Sequence, residues 1–430
     1  MLLKSRRSWL MGFTLLASLA APRGYADGVG LSVAEPFGIE RALRTADREA
    51  LLALAKSPLE DVRRLATASL SRLDGKLDES DSSAEACYTW AVSQKHFMTA
   101  TRCLTIEAGN AYLRSDDRRV AEDFARVRSE FTDHVSPTIP ANARYWPAEF
   151  MPEGARFTTF PPESRGALPR PGEYAFKWAQ SVPMLSIQID GHAVDAIFDT
   201  GSMKSALSDD VAETFGLKSD GQWLGILANN AIQYSSRYVG EVSLLGVSMG
   251  PRSFAGLRTP GMAIIGRDIM HRLDTFEVSS SGLRILAKDD QEALRCTDRM
   301  LEGSSFDGTF GGVYFPIVAS GVKAQAFFDT GHTTFLSQYV GSAPIHWPAS
   351  EWTIEGVTRA NEKESSSFHL VDGYLALGQS QSAWLQGKVK LETSQREEPG
   401  TYALGSLSLK NVRYVFDFGR HHLCAYAKEN

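Results

Sequence analysis

The sequence predicts a mainly β protein with two similar halves, preceded by a small all-α array of helices. Helical periodicity dominates residues 27–135, whereas short strand patterns separated by turn residues dominate from residue 173 onward. The motif Asp-Thr-Gly occurs twice, at Asp199 and at Asp329, each time after an apolar strand pattern. Two copies of one strand-and-motif unit indicate an internal repeat within the β region.

Length and composition are those of a globular protein. The chain has 430 residues, which predicts two or three domains, and its apolar and charged fractions of 43% and 22% are ordinary. The net charge of -6 is small, and no basic cluster stands out. We therefore expect neither a nucleic acid nor an anionic membrane surface as a partner.

Residues 1–26 have the order of an export signal. Lys4, Arg6 and Arg7 precede a short apolar run at 9–21, and small residues follow at a plausible cleavage position. The adjacent arginines also fit a twin-arginine signal, so both export routes stay open. We expect a periplasmic or secreted protein. No later stretch is long and apolar enough for a membrane span.

Residues 27–135 predict a helical domain. The clearest amphipathic run ends at Gly75 and carries apolar residues at helical spacing: Leu59, Val62, Ala66, Leu70 and Leu73. Several such runs with short breaks suggest an antiparallel array loosely similar to a tetratricopeptide solenoid, although no strict period is present. Residues 136–172 follow as a linker, since eight of the 18 prolines fall there.

The four cysteines leave two interpretations open. Export would permit disulfides. Cys87 and Cys103 lie in the helical region, and Cys296 and Cys424 lie in the later part, which favours pairing within each region. Buried free thiols are the alternative. The spacing fits no zinc site, and we expect no metal and no cofactor.

The two halves, at 173–295 and 296–430, align through a hairpin and a second landmark. Each hairpin turns at a glycine, in Asp190-Gly191 and in Ser320-Gly321. A Phe precedes each motif, and an apolar-apolar-Gly triplet follows downstream: Phe198, Phe328, Ile264-Ile265-Gly266 and Ala403-Leu404-Gly405. Two matched motifs with matched flanks are much less expected by chance than one strand-ending turn.

These motifs resemble the lobes of aspartic peptidases, especially retropepsin-like ones, over roughly residues 173–430. Two copies in one chain are similar to the pepsin-type arrangement. The resemblance implies a two-lobed β fold, a polypeptide substrate and catalysis by Asp199 and Asp329. It also implies supporting roles for the motif neighbours: Thr200, Gly201, Ser202, Thr330 and Gly331. The threonine hydroxyls would tie the two loops together.

The chemistry explains why two carboxylates are needed. Two close carboxyl groups cannot both ionise easily, so they share a proton and their pKa values separate. The ionised group can take a proton from water while the protonated group donates toward the substrate carbonyl. We expect a monomeric endopeptidase that uses Asp199 and Asp329 in this way.

Other interpretations remain open at this stage. His332 follows the second motif where Ser202 follows the first, which raises the alternative of an inactive peptide- or protein-binding scaffold. The helical domain would then dock a protein partner; in an enzyme it would recruit substrate or act as an inhibitory prosegment. Gly-Val-Ser-Met-Gly around Ser248 matches a serine-hydrolase elbow, but the residues after it are poor helix formers. The segments 223–246 and 352–378 are candidate flaps.

Overall fold

The computed structural model describes residues 35–135, 168–179, 181–228, 231–319, 321–339, 349–359, 362–378, 383–394 and 401–428. The expected export signal at 1–26 and most of the expected linker at 136–172 lie outside these residues. No helix in the described ranges has the length and apolar character needed to cross a membrane.

The described part of the N-terminal region is helical, as predicted. It contains α1 (Glu35–Arg44), α2 (Arg48–Leu54), α3 (Glu60–Leu73), α4 (Leu77–Ser93), α5 (Phe97–Leu113) and α6 (Asp117–Val135). Consecutive helices pack against each other across short turns. Val62, Ala66 and Leu73 of the predicted amphipathic run are buried in α3, whereas Leu59 lies just before the helix and is exposed. Gly75 has φ +75° and ends the run.

Two disulfides join cysteines within each region, as the pairing hypothesis predicted. Cys87 of α4 is bonded to Cys103 of α5, and Cys296 is bonded to Cys424. The helical core around the first pair continues into the β region, because Leu301, Phe306 and Tyr314 pack in the same apolar cluster. The helices therefore share buried surface with the β region.

The β region begins with strands from the first half of the repeat. They are β1 (Gly172–Ala175), β2 (Lys177–Ala179), β3 (Val182–Ile189), β4 (His192–Phe198), β5 (Ala206–Ser208), β6 (Ser219–Ala228), β7 (Ala231–Leu244), β8 (Val247–Leu257), β9 (Ala263–Ile265), β10 (Thr275–Ser279) and β11 (Gly282–Ile285). Three short helices accompany them: α7 (Asp209–Thr214), α8 (Arg267–Met270) and α9 (Gln291–Arg295).

The second half contributes a matching series. Its strands are β12 (Leu301–Ser304), β13 (Gly311–Ala319), β14 (Val322–Asp329), β15 (Leu336–Tyr339), β16 (Ala349–Arg359), β17 (Glu362–Leu377), β18 (Ala383–Ser394), β19 (Thr401–Gly405), β20 (Val412–Asp417) and β21 (His422–Ala427). Short 3₁₀ turns follow α8 at His271–Leu273 and follow β19 at Ser406–Lys410.

The sheet topology repeats as the sequence does. Among the described residues, the first eight-stranded sheet has the order β2-β3-β4-β9-β5-β8-β7-β6, and the second has β12-β13-β14-β19-β15-β18-β17-β16. Extra pairings of β3 with β7 and of β13 with β17 curl both sheets in the same way. The predicted first hairpin is present, since Asp190 and Gly191 have φ +48° and +82° in the β3–β4 turn.

A third sheet joins the two halves. Its order is β1-β11-β10-β20-β21, and β10 of the first half pairs with β20 of the second through Phe276 and Phe416. These two rings are stacked with centroids 5.0 Å apart. Phe198 lies 6.0 Å from Phe276, and Phe328 lies 5.9 Å from Phe416, centroid to centroid. The aromatic residue before each Asp-Thr-Gly is thus fixed in one continuous core.

The two candidate flaps are hairpins in the described residues. β6 and β7 form one, and β16 and β17 form the other. Their tips at 229–230 and 360–361 lie outside the described residues. Closure over a cleft stays a prediction for both hairpins.

Candidate active site

Parallel strand pairs place the two Asp-Thr-Gly loops. In the first half β4 runs parallel to β9, with Phe198 beside Ile265, and Asp199 N–H donates to Ile265 O at 3.1 Å. In the second half β14 runs parallel to β19, with Asp329 beside Gly405. The apolar-apolar-Gly triplets predicted from the sequence therefore lie directly alongside the motif strands. Each loop directly follows a buried phenylalanine, Phe198 in β4 and Phe328 in β14.

The two loops are bonded to each other through Thr200 and Thr330. The N–H of Thr200 donates to Thr330 Oγ1 at 3.0 Å, and the N–H of Thr330 donates to Thr200 Oγ1 at 3.0 Å. Each hydroxyl also donates to a carbonyl across the interface: Thr200 Oγ1 to Phe328 O at 2.9 Å, and Thr330 Oγ1 to Phe198 O. Both side chains are buried. The reciprocal bonds tie the ends of β4 and β14 together.

This crossing brings the two carboxylates next to each other. A Cβ added to Gly201 would lie 2.5 Å from Asp329 Oδ1, and one added to Gly331 would lie 2.6 Å from Asp199 Oδ2. Only glycine can occupy these positions, because any side chain would collide with the opposing carboxylate. Each glycine N–H also donates to the Asp of its own loop at 2.9 Å. Every carboxylate is therefore held by its own loop and lies against the other loop.

The electrostatics of this pair favour a shared proton. Burial, the neighbouring charge of Asp329 and a hydrogen bond between the two side chains raise the pKa of Asp199 well above its ordinary value. Bonds from the backbone of Gly201 and Ser202 oppose this shift but do not cancel it. Both aspartates are only partly exposed to solvent. A raised pKa on one member is what two close carboxyl groups should produce.

Ser202 and His332 mark where the two loops differ. The Ser202 hydroxyl donates to Lys204 O at 2.7 Å, within its own loop. The Nε2 atom of His332 is hydrogen-bonded to Ser337 Oγ at 2.8 Å, which directs this end of the imidazole toward β15 of its own sheet. The backbone positions still match: Ser202 O accepts from Arg267 N at 2.9 Å, and His332 O accepts from Ser406 N at 2.7 Å.

Arg267 and Asp268, which directly follow the first apolar-apolar-Gly triplet, support the first loop. The sequence analysis assigned them no role. Asp268 accepts from the N–H and hydroxyl of Ser205 at 2.9 and 2.8 Å. Arg267 is buried, and its Nη1 lies 3.6 Å from the buried Glu302 of β12. Burial alone would raise the pKa of Glu302, but His271 and Arg267 hold it well below its ordinary value. The feature of the sequence that could have pointed to Arg267 and Asp268 is their position directly after Gly266.

Ser248 does not form a nucleophile elbow. It lies within β8, where its hydroxyl accepts from Gly250 N at 3.3 Å, and the strand continues to Leu257. An elbow serine must stand at a sharp turn from a strand into a helix. The described structure has neither feature at this point, so this alternative is set aside.

Comparison with known families gives one match, and it contains the first of these loops. Residues 185–269 match the family model described as Aspartyl protease, a segment that runs from β3 into α8 and includes Asp199 and Gly266. This match supports an aspartyl protease family for the chain. It does not extend to the second loop at Asp329. A search of curated proteins gives no significant match.

Proposed function

We propose that this protein is an exported aspartic endopeptidase in which Asp199 and Asp329 form one catalytic pair. The observation that carries the proposal is the reciprocal placement of each carboxylate against the glycine of the other Asp-Thr-Gly loop. The threonine crossing and the family match of the first half support it. A two-lobed aspartic-peptidase architecture is proposed with it, on the repeated sheet order.

The proposed reaction uses one proton on the pair and one water molecule. The ionised carboxylate takes a proton from water as its oxygen attacks the peptide carbonyl carbon, while the protonated carboxyl donates to the carbonyl oxygen. A tetrahedral diol results. Proton transfer to the amide nitrogen and cleavage of the C–N bond then release an amine and a carboxylic acid. The titration belongs to the pair, so the proton is not assigned to one residue.

The surrounding bonds suit this chemistry. The Gly201 and Gly331 N–H groups hold Oδ1 of each aspartate, so the orientation of both carboxyl groups is fixed by their own loops. The threonine bonds keep the loops at a constant separation, so little reorganisation is needed during reaction. The proposed substrate is an extended peptide, and we propose that the protein acts as a monomer.

Location outside the cytoplasm is also part of the proposal. Two disulfides, Cys87–Cys103 and Cys296–Cys424, suit an oxidising compartment, where such bonds form and persist. The signal-like residues 1–26 agree with that assignment.

A binding protein on the same scaffold is the second candidate function. The observation that favours it is His332, an imidazole at a position where the first loop has the small Ser202. In that case the cleft would hold a peptide without cutting it. The helical region would then provide a second docking surface.

Cleavage of an unfolded protein by the purified full chain separates the two functions. We expect cleavage from acidic to neutral pH, and we expect Asp199→Asn and Asp329→Asn each to reduce kcat at least about 100-fold while folding is retained. Asp289→Asn, at an exposed position outside the loops, is the matched control and should be unchanged. A wild-type protein that binds unfolded chains but cuts none would favour the binding protein.

A further inference from the structure

Lys204 lies in the loop of the first aspartate and points into the helical region. It follows Asp199 by five positions, and its side chain is 2% exposed. Its Nζ donates to Ser115 Oγ at 2.7 Å and lies 4.7 Å from the ring centroid of Tyr112. Tyr112 is in the last turn of α5, and Ser115 is in the turn directly after that helix. The loop of Asp199 is thus bonded to a segment far away in the sequence.

The backbone of Lys204 belongs to the same rigid loop. Its carbonyl accepts from Ser202 Oγ at 2.7 Å, and the next residue, Ser205, is held by Asp268. Movement of Lys204 would therefore be transmitted to Ser202, whose N–H hydrogen-bonds to Asp199. Lys204 therefore lies at one end of a short chain of contacts that reaches the aspartate.

The helix that receives Lys204 is itself anchored to the second half. The buried Arg72 of α3 donates to Ile106 O of α5 and also to Ser305 O and Phe306 O, at 2.8 and 2.9 Å to the latter two. Gly109 of α5 lies so close to this segment that an added Cβ would be 2.1 Å from Phe306 O. One helix, α5, therefore contacts the Asp199 loop at its end and the second half along its middle.

Packing alone does not explain a lysine here. A buried ammonium loses its hydration, and one hydroxyl together with one aromatic face replaces that hydration only in part. An apolar side chain such as methionine could fill the same space without that cost. The amine instead provides a directional bond to one atom of the helical region, as a group that fixes a position would do.

We propose that Lys204 is a positioning residue through which α5 holds the Asp199 loop in register with the second half. This inference rests on the proposed peptidase function and assigns the helical region a role in it. The contact between Lys204 and Ser115, called the brace below, would then make the helical region a permanent support of the catalytic pair. The helical region would be neither a prosegment to be removed nor only a surface that recruits substrate. Misplacing a catalytic carboxylate by a fraction of an ångström lowers the rate more than it lowers binding.

Two substitutions in the full chain test the brace from both ends. Lys204→Met keeps the length of the side chain and removes the amine, and Ser115→Ala removes the acceptor without changing the loop. We expect each to lower kcat about 10- to 100-fold with KM changed less than about twofold. The kcat of the double variant should be no lower than that of Lys204→Met, because both substitutions remove the same hydrogen bond. Lys288→Met, at an exposed lysine, is the control and should behave as wild type.

Hydrogen exchange supplies a readout that does not depend on activity. We expect amides at 199–205 to exchange faster in Lys204→Met than in wild type, with the melting temperature of the chain little changed. If the wild type cleaves and both variants keep its kcat, the brace is wrong while the peptidase function stands. If the wild type cleaves nothing, the peptidase function is wrong, and unchanged exchange at 199–205 would overturn the brace as well.

Discussion

Thr330→Val tests how firmly the two loops hold each other. Valine has nearly the shape of threonine but lacks the hydroxyl, which at Thr330 accepts from Thr200 N at 3.0 Å and donates to Phe198 O. Both threonines are buried, at 1% and 0% exposed, so water cannot replace the lost bonds. The substitution therefore leaves one N–H and one carbonyl without a partner in the core.

The expected loss follows from those two groups. A buried backbone group left without its partner costs about 1–3 kcal/mol, so two of them should lower the free energy of unfolding by about 2–6 kcal/mol. Urea unfolding of the full chain, followed by circular dichroism, measures this quantity. Thr67→Val is the matched control, because Thr67 is exposed on α3 and its hydroxyl donates to Arg63 O of its own helix. We expect the control to change stability by less than about 0.5 kcal/mol.

The pseudo-symmetry of the crossing adds a second condition. Thr200→Val should cost about as much as Thr330→Val, since its hydroxyl makes the equivalent bonds. The double variant should lose less than the sum of the two, because the residues share one network. A Thr330→Val protein as stable as the Thr67→Val control would refute the interlocked loops.

Three further predictions concern the protonation of Asp199, the space beside Gly331 and the contacts of Arg72 between the helices and the β region. The raised pKa of Asp199 means that folding favours its protonated form, so this contribution to stability is present at acidic pH and is lost as pH rises through the raised pKa. The melting temperature of Asp199→Asn minus that of the wild type should therefore increase as pH rises, as measured by calorimetry at several pH values. A difference that does not change with pH would contradict this. Gly331→Ala should reduce kcat at least about 100-fold, because its Cβ would displace the Asp199 carboxylate, whereas Gly38→Ala, with open space around it, should leave kcat unchanged. Arg72→Met should lower stability by about 3–5 kcal/mol in urea unfolding, since burial lowers the pKa of Arg72 only to about 10 and the charged side chain satisfies several buried oxygens; a neutral effect would show that the helices are anchored elsewhere.

Local patterns in the sequence were enough to predict the first hairpin turn and the strands before the two motifs. The turn at Asp190-Gly191 follows from residue types that accept positive φ, and the strand patterns before Asp199 and Asp329 follow from alternation of apolar residues. The resemblance of the two repeats to aspartic-peptidase lobes implied that the two loops would meet, and hydrogen bonds between Thr200 and Thr330 join them. The turn and the strands needed only short-range rules, and the repeat needed only the comparison of one half with the other.

Contacts between distant residues could not be predicted in the same way. An arginine near the end of an amphipathic helix is typical of its solvated face, yet Arg72 of α3 is buried against Ser305 and Phe306. Lys204 likewise gives no sign in the sequence that it meets Ser115. Such pairs depend on how the helices dock onto the sheets, and no periodicity encodes that docking. The buried cations that link the helices to the β region were therefore missed, whereas the two Asp-Thr-Gly motifs are visible in local sequence and their catalytic role stays a prediction.

Binding of a statine-type inhibitor tests the paired-aspartate site most directly. Such a compound replaces the attacked carbonyl with a tetrahedral hydroxyl and should bind tightly only where two carboxyl groups share a proton. By calorimetric titration of the full chain, we predict one binding site in the wild type and at least about 100-fold weaker affinity in both Asp199→Asn and Asp329→Asn. Equal affinity of the three proteins, or no binding to the wild type, would contradict a shared catalytic pair.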